Sequence, residues 1–168
     1  MGKAEHEDQS RGAGPIPYAV IAVSDSRTEA TDESGPLAAS LLDEAGHLRQ
    51  GRSLVRNDVA AIQAEVRRWL LGGARLVVLA GGTGAGPRDV TVEAVRPLLD
   101  KEMEGFGELF RALSYQEIGA TAMLSRALLG LSQGRAIVCL PGSAAAIRLA
   151  LSKLLIPELP HLLWVAGR

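Results

Sequence analysis

A glycine-rich loop that ends in an Arg–Asp pair is the segment of this chain best suited to chemistry. The run LAGGTGAGPRD, residues 79–89, carries no side chain larger than threonine from Gly81 to Gly86. Backbone N–H groups in such a loop can approach a ligand closely and form an anion-binding nest. Pro87 and Arg88 stand where a Walker A loop needs Lys and Ser/Thr, and Pro87 also takes the third glycine position of a dinucleotide fingerprint. The pattern therefore indicates either a phosphate-binding loop of another type or a turn that only needs positive φ.

The Arg–Asp pair leaves two interpretations open. As a carboxylate beside a phosphate nest, Asp89 can coordinate Mg²⁺, which prefers one or two carboxylates together with phosphate oxygens. Asp is also a frequent N-cap, so Asp89 can instead cap the helix that follows. Arg88 either clamps a phosphate or lies in solvent.

Other polar side chains follow apolar runs or lie between them. The segment Ser24–Arg27 can bind polar ligand groups or form a simple turn. In the segment Leu140–Ser143 the serine is a natural N-cap, and an exposed helix N-terminus attracts anions. Arg111, Ser114 and Arg126 are further candidates, although both arginines can equally be surface charges.

The elements between these loops alternate between strand and helix patterns. Nearly continuous apolar runs are typical of strands buried in a parallel sheet, and a period of 3.6 is typical of helices packed on it. The predicted strands are 18–24, 51–57, 74–80 and 135–142. The predicted helices are 37–45, 59–71, 89–102 with an interruption near Pro97, 105–119, 121–131 and 144–156, the last closed by Pro157, while 159–167 suits either a helix or a strand. This order predicts an α/β domain with a mostly parallel sheet and helices on both faces.

That architecture brings the candidate loops together. In open α/β sheets, ligands bind at the carboxyl ends of the strands, near a switch in strand order. We therefore expect Ser24–Arg27, Gly81–Gly86 and Leu140–Ser143 at one edge of the sheet.

The composition and charge of the chain limit the classes of protein to which it can belong. The chain has 168 residues, 47% of them hydrophobic, which suits a single domain at 15–168 behind a mobile polar tail at 1–14. A formal net charge of -1 gives no electrostatic case for nucleic-acid binding. Cys139 is the only cysteine and lies in an apolar strand, where we expect it to be buried and inert. We expect no zinc site, no signal peptide and no apolar run long enough to cross a membrane, so the cytoplasm is the default location.

Several motifs together resemble the molybdenum cofactor biosynthesis proteins of the MogA/MoaB type, whose domain also occurs in gephyrin-like and MoeA-like proteins. The motifs are GGTG at 81–84, RDVT at 88–91, EMEGFGELFR at 102–111, LSY-x-EIG at 113–119, SRA at 125–127 and LPGS at 140–143. Asp32, Ser34 and Gly35 also match the family's D-x-S-G stretch, where Asp32 or Ser34 can cap a helix. The motifs agree in order and spacing from Pro17 to the C-terminus.

The resemblance implies a three-layer α/β fold that binds molybdopterin, usually as a homotrimer. It also implies that molybdopterin is activated with MgATP. The terminal phosphate of the pterin side chain attacks the α-phosphate of ATP, which gives adenylylated molybdopterin and pyrophosphate. A molybdate-inserting protein would then receive the product. Catalysis of this kind is mostly positioning and charge neutralisation.

The resemblance assigns catalytic and Mg²⁺-binding roles to Asp89 and Asp58. The family has a proline before the second of these aspartates, and Asn57 replaces it here. The substrate-binding residues that it implies are Ser24, Asp32, Ser34, Gly35, Gly81, Gly82, Thr83, Gly84, Arg88, Ser114, Ser125, Arg126, Pro141, Gly142 and Ser143. Two other functions stay open: a MoaB-like carrier that binds molybdopterin without adenylylating it, and an unrelated nucleotide-binding oxidoreductase, against which the incomplete dinucleotide fingerprint counts.

Overall fold

One mixed sheet organises the part of the chain that the computed structural model describes, residues 14–168. The predicted tail lies outside the described residues, apart from Gly14. Six strands form the sheet: β1 (Pro17–Val23), β2 (Leu48–Val55), β3 (Leu76–Ala80), β4 (Lys101–Glu102), β5 (Leu128–Ser132) and β6 (Arg135–Leu140). Their order is β2-β1-β3-β6-β5-β4. The first four strands in this order are parallel, and β5 runs antiparallel to both of its neighbours.

Helices cover both faces of the sheet. They are α1 (Ser34–Glu44), α2 (Val59–Leu71), α3 (Thr91–Val95), α4 (Glu104–Ile118), α5 (Ala144–Arg148) and α6 (Ile156–Ala166). Successive residues of a strand point to opposite faces. Val20 accordingly packs in the core with α1, α4, α5 and α6, and Ile21 packs in the core with α2 and α3. Cys139 is fully buried in this second core, where burial raises the pKa of its thiol. The predicted three-layer α/β architecture is confirmed.

The predicted helix over 121–131 is wrong. Residues Gly119–Leu124 form a 3₁₀ helix, and the chain then extends into β5, which pairs with β6. A hairpin turn joins the two strands, with positive φ at both Gln133 and Gly134. Short apolar runs do not distinguish a buried strand from a helix by periodicity, and the pairing with β6 decides between them.

The predicted break at Pro157 is also wrong. A π-helix, Leu149–Leu155, connects α5 to α6, and Pro157, the second residue of α6, lies within a continuous helical run. The resulting helical run, Ala144–Ala166, is long and apolar enough to cross a membrane by length and composition, contrary to the sequence expectation. Its buried residues pack in the core of the sheet, as a core helix of a globular domain does.

The region around Pro97 follows its prediction only in part. The helix ends early, because α3 stops at Val95 and Arg96–Leu98 forms a 3₁₀ turn that includes the proline. The chain then extends as β4, which covers the open edge of β5. Strand β2 begins three residues earlier than predicted, at Leu48 rather than Gly51.

A buried tyrosine ties the sheet to α1 at the edge opposite the candidate loops. The side chain of Tyr18 is 0% exposed, and its hydroxyl is placed to donate to the Ala39 carbonyl at 2.8 Å or to the Asp43 carboxylate. Asp43 also pairs with Arg49. Burial, reinforced by the hydrogen bond to Asp43, raises the pKa of Tyr18 to about 12 from 10.0.

This tyrosine makes stability depend on alkaline pH. Because the pKa is raised in the folded state, the stabilisation is present below pH 10 and is lost as pH rises from 10 towards 12. We expect the free energy of unfolding to fall by about 2–3 kcal/mol over that range. Denaturant titrations at several pH values measure it. Tyr18→Phe should remove most of the loss, whereas Tyr115→Phe, at a residue 62% exposed, should keep it.

Candidate active site

Four parallel strands end at the same edge of the sheet, and their loops meet there. Strand β1 leads into Ser24, β3 into the glycine loop, and β6 into Pro141. The strand order switches direction between β1 and β3, since the chain continues from β1 to β2 on one side and places β3 on the other. This is the position at which open α/β sheets bind ligands.

A cleft of about 360 Å³ lies at this edge. The residues that were predicted to bind substrate and that line it are Gly82, Thr83, Gly84, Ser114, Ser125, Pro141, Gly142 and Ser143, and Asp89 lines it with them. Its other walls come from Phe110, Ile118, Thr121, Ala122, Leu124 and Ala146. The cleft thus combines a polar side, made by two strand-end loops, with a largely apolar side from α4 and the 3₁₀ helix after it.

The first two glycines of the loop are required by the backbone. Gly81 has φ +110° and Gly82 has φ +67°, a region that L side chains rarely adopt. A Cβ on Gly81 would lie 2.3 Å from the carbonyl oxygen of Val23. The Gly81 N–H donates to the Leu140 carbonyl at 2.9 Å, and the Thr91 hydroxyl donates to the Gly81 carbonyl at 2.8 Å. The loop therefore forms a turn that only glycine adopts without strain at these two positions, and it is also a wall of the cleft.

Asp89 does not cap the next helix. The N-cap of α3 is Val90, which makes no side-chain capping bond, so that interpretation of Asp89 is wrong. Its carboxylate turns back into the loop and accepts a hydrogen bond from the Gly86 N–H at 2.9 Å. A Cβ on Gly84 or on Gly86 would lie 2.8 Å from the same Oδ2 atom. The loop is glycine-rich here because the Asp89 carboxylate occupies the space that side chains would need.

Asp58 lies outside the cleft. It is the N-cap of α2, and its carboxylate accepts from the Ala61 N–H at 2.8 Å. The preceding Asn57 donates its backbone N–H to Asp25 at 3.0 Å, while its buried Oδ1 has no hydrogen-bond partner. Within residues 14–168 no three His, Cys, Asp or Glu side chains gather as a metal site.

Comparison with known proteins identifies the family. The family described as "Probable molybdopterin binding domain" matches residues 19–161. The chain is 48% identical over 163 residues to "Molybdenum cofactor biosynthesis protein B" of Bacillus subtilis (strain 168), covering 96% of this chain and 95% of that protein. The chain belongs to the MoaB/MogA family of molybdenum cofactor biosynthesis proteins.

Solved structures agree with this assignment. A crystal structure of a molybdenum cofactor biosynthesis protein B aligns with TM-score 0.87 at 46% identity, covering 92% of this chain and 97% of that one. The tungsten cofactor synthesizing protein MoaB from Pyrococcus furiosus aligns with TM-score 0.85 at 34% identity, covering 94% and 100%. A MogA structure aligns with TM-score 0.81 at 27% identity, covering 89% and 99%.

The D-x-S-G stretch of this MoaB/MogA chain does not line the cleft. Asp32 and Ser34 are buried, and Asp32 accepts from the Ser34 hydroxyl at 3.0 Å and from the Gly35 N–H at 3.1 Å. Arg52 lies 3.7 Å from the other carboxylate oxygen. Asp32 thereby satisfies the first turn of α1, although the formal N-cap is Glu33. The stretch secures the start of a helix.

Ser24 and Ser143 both serve local backbone structure. The Ser24 hydroxyl accepts from the Arg27 N–H at 3.1 Å and from the Ser26 N–H at 3.3 Å, which is the simple turn that the sequence allowed. Ser143 is the N-cap of α5, as predicted, and accepts from the Ala146 N–H at 3.2 Å. Ser143 lines the cleft and Ser24 does not.

The three arginine candidates differ in what they contact. Arg88 is exposed at the loop tip, and no residue of the described chain forms an ion pair with it. Arg126 directs its guanidinium at the glycine loop and at Glu93. Arg111 lies over Gly107, in a neighbouring cleft of about 450 Å³ that shares Ser125 with the first.

Sequence reasoning missed two kinds of site residue. In the apolar wall, Leu124 carries no motif signal, and Phe110, although it lies in the EMEGFGELFR motif, was interpreted as a core residue. Glu93 lies two residues after the RDVT motif. The sequence does not mark it as a site residue, because a single Glu on a helix face is common. Thr91 is fully buried, and its hydroxyl donates to the Gly81 carbonyl. Its place in the RDVT motif was the feature of the sequence that could have identified it as a site residue.

Proposed function

We propose that this protein binds molybdopterin in the 360 Å³ cleft and adenylylates it with MgATP. A terminal phosphate oxygen of molybdopterin forms a bond to the α-phosphorus of ATP. The bond between that phosphorus and the β-phosphate bridging oxygen breaks, and pyrophosphate leaves. The products are adenylylated molybdopterin and pyrophosphate.

The observation that carries the proposal is that the Asp89 carboxylate and the glycine loop line the same cleft as the Pro141–Ser143 turn. In phosphoryl transfer the protein contributes mainly positioning and charge neutralisation. The loop's backbone N–H groups are suited to phosphate oxygens, and the exposed Arg88 can neutralise them at the rim. The apolar wall around Phe110 suits a planar ring and excludes water from the reacting groups.

The available donors fit a magnesium ion that arrives bound to the triphosphate. Mg²⁺ is usually held by one or two carboxylates and by phosphates, not by an all-protein cage. Asp89 offers one carboxylate at the cleft, and its bond to the Gly86 N–H leaves further lone pairs free. When bound, the ion would neutralise charge on the phosphates. Asp89 would hold it, and the catalytic role of Asp58 stays a prediction.

The alternative is a carrier that binds molybdopterin without adenylylating it. One specific observation favours it: Asp58 caps α2 and does not line the cleft, and Asn57 replaces the family's proline beside it. With one of its two catalytic aspartates displaced, the chain would retain the pterin and phosphate subsites but lose turnover. The family membership is the same in either case.

The oligomeric state, cellular location and partners of the protein are also part of this proposal. A homotrimer would cover large apolar side chains that the single chain leaves exposed, such as Ile118 at 54% and Met123 at 76%. We propose a cytoplasmic protein that passes its product to a molybdate-inserting partner and that acts on small molecules, without nucleic acid or membrane as partner. Light scattering coupled to size exclusion measures the assembly.

The proposed function is tested by mixing the purified protein with molybdopterin and MgATP and measuring pyrophosphate. We expect pyrophosphate in proportion to the pterin consumed. Omitting molybdopterin is the control, because pyrophosphate released without it would come from ATP hydrolysis. Tight pterin binding, seen by fluorescence, without pyrophosphate would establish the carrier instead.

A further inference from the structure

Arg126 spans the two ends of the turn that carries Asp89. Its Nε donates to the Gly84 carbonyl at 3.0 Å, and its Nη2 donates to the Asp89 carbonyl at 2.9 Å. Its own backbone N–H donates to the Thr83 carbonyl at 3.1 Å. One residue from a distant part of the chain therefore holds backbone carbonyls on both sides of residues 85–88.

Glu93 holds the guanidinium in this position. Its carboxylate forms an ion pair with Nη1 of Arg126 and accepts from Nη2 at 3.3 Å. The pair lowers the pKa of Glu93, chiefly through the hydrogen bond from Arg126. Glu93 lies on α3, one turn after Asp89, so it links the arginine to the helix that follows the loop.

The loop needs such an external restraint. Gly84 and Gly86 impose little conformational preference on the backbone between them. The hydrogen bond from the Gly86 N–H is the contact that holds the Asp89 carboxylate, and it depends on where the backbone of residues 84–89 lies. Arg126 fixes both ends of that segment, and it lines the neighbouring cleft of about 450 Å³ rather than the 360 Å³ cleft.

We infer that Arg126 and Glu93 form a positioning pair that sets the place of the Asp89 carboxylate, and that Arg126 is not a substrate ligand. The inference rests on the proposed function in so far as Asp89 acts in adenylylation. It offers a different role for Arg126 from the substrate binding that the family resemblance implies. It also gives a role to Glu93, which no motif indicated.

The test compares Arg126→Lys and Glu93→Gln with wild type in the adenylylation assay and in amide hydrogen exchange. Lysine keeps the charge but cannot reach two carbonyls and a carboxylate at once. We expect kcat to fall by about 10–100-fold, as a small misplacement of a reacting group causes, while KM for molybdopterin stays within about twofold. The Gly86 amide should exchange on the order of tenfold faster.

The matched control is Arg96→Lys. Arg96 forms a two-point ion pair with Glu102 at 3.0 and 3.1 Å and lines the same 450 Å³ cleft as Arg126, but its described hydrogen bonds include none to the loop. It should change neither kcat nor Gly86 exchange.

Either of two results would overturn the inference: a raised KM with unchanged kcat in Arg126→Lys, which marks a substrate ligand, or unchanged Gly86 exchange in both variants. If wild type itself releases no pyrophosphate, the proposed function fails, and Gly86 exchange alone still decides the inference. Should Arg126→Lys fold poorly, Glu93→Gln carries the test, because it keeps the arginine but removes the charge that holds the guanidinium against the loop carbonyls.

Discussion

Asp89→Ala is expected to lower the rate of molybdopterin adenylylation by about 10²–10³-fold, in the range seen when a group that stabilises transferring charge is removed. The carboxylate lines the cleft and is aimed into the glycine loop by the Gly86 N–H. Because the loop backbone and the apolar wall remain, molybdopterin affinity should change little. Initial rates of pyrophosphate release and pterin fluorescence titrations measure the two effects separately.

Asp89→Asn separates the effect of the carboxylate charge from the effect of its hydrogen bond to the loop. The amide oxygen can still accept from the Gly86 N–H, so the loop geometry is kept while the charge is lost. A rate as low as that of the alanine variant would show that the charge matters. Glu44→Gln, at the far end of α1, is the control and should leave the rate unchanged. Lost pterin binding with retained turnover would contradict the role that we give to Asp89.

Gly81→Ala is expected to destabilise the fold by roughly 2–4 kcal/mol, since it combines a backbone conformation disfavoured for L residues with a clash against fixed backbone. The new methyl group would lie 2.3 Å from the Val23 carbonyl oxygen at φ +110°. The strand end of β1 cannot move aside without breaking its parallel pairing. Urea or thermal unfolding measures the change, and pterin affinity should fall with it.

Gly105→Ala is the matched control. Gly105 lies in the first turn of α4, and nothing is within 4 Å of the position of its missing Cβ. Alanine is a better helix former than glycine, so this variant should be neutral or slightly stabilised. Equal destabilisation by both substitutions would mean that the backbone of Gly81 is not special.

The sequence predicted the layers of the fold and the edge at which the site lies. Runs such as 19–23 and 76–80 are apolar at every position, which is typical of a buried parallel strand. Because parallel strands have their carboxyl ends at the same edge of the sheet, the loops that follow these strands lie close together. β5 was missed because its residues follow a helical period as well as a strand period, and only pairing with β6 separates the two.

Side-chain directions within the site could not be read from the motifs. Asp32 and Ser34 belong to a family stretch, yet they stabilise the start of α1 and do not line the cleft. Arg126 belongs to the SRA motif, and its side chain donates to the Gly84 carbonyl of the glycine loop. Asp89 was ambiguous because a cap and a loop-facing carboxylate have the same sequence signature. The contacts of Arg126 join residues far apart in the chain, which spacing does not encode. Those of Asp32 and Asp89 are local, but the same spacing also allows other side-chain directions.

The most direct test of the proposed function follows the label from ATP into the pterin. Purified protein is incubated with molybdopterin and Mg²⁺, once with ATP labelled at the α-phosphate and once with ATP labelled at the γ-phosphate. We predict that the α-label appears in the pterin product and that the γ-label appears in pyrophosphate. The account is contradicted if the γ-label enters the pterin, or if neither label does while the protein holds molybdopterin tightly.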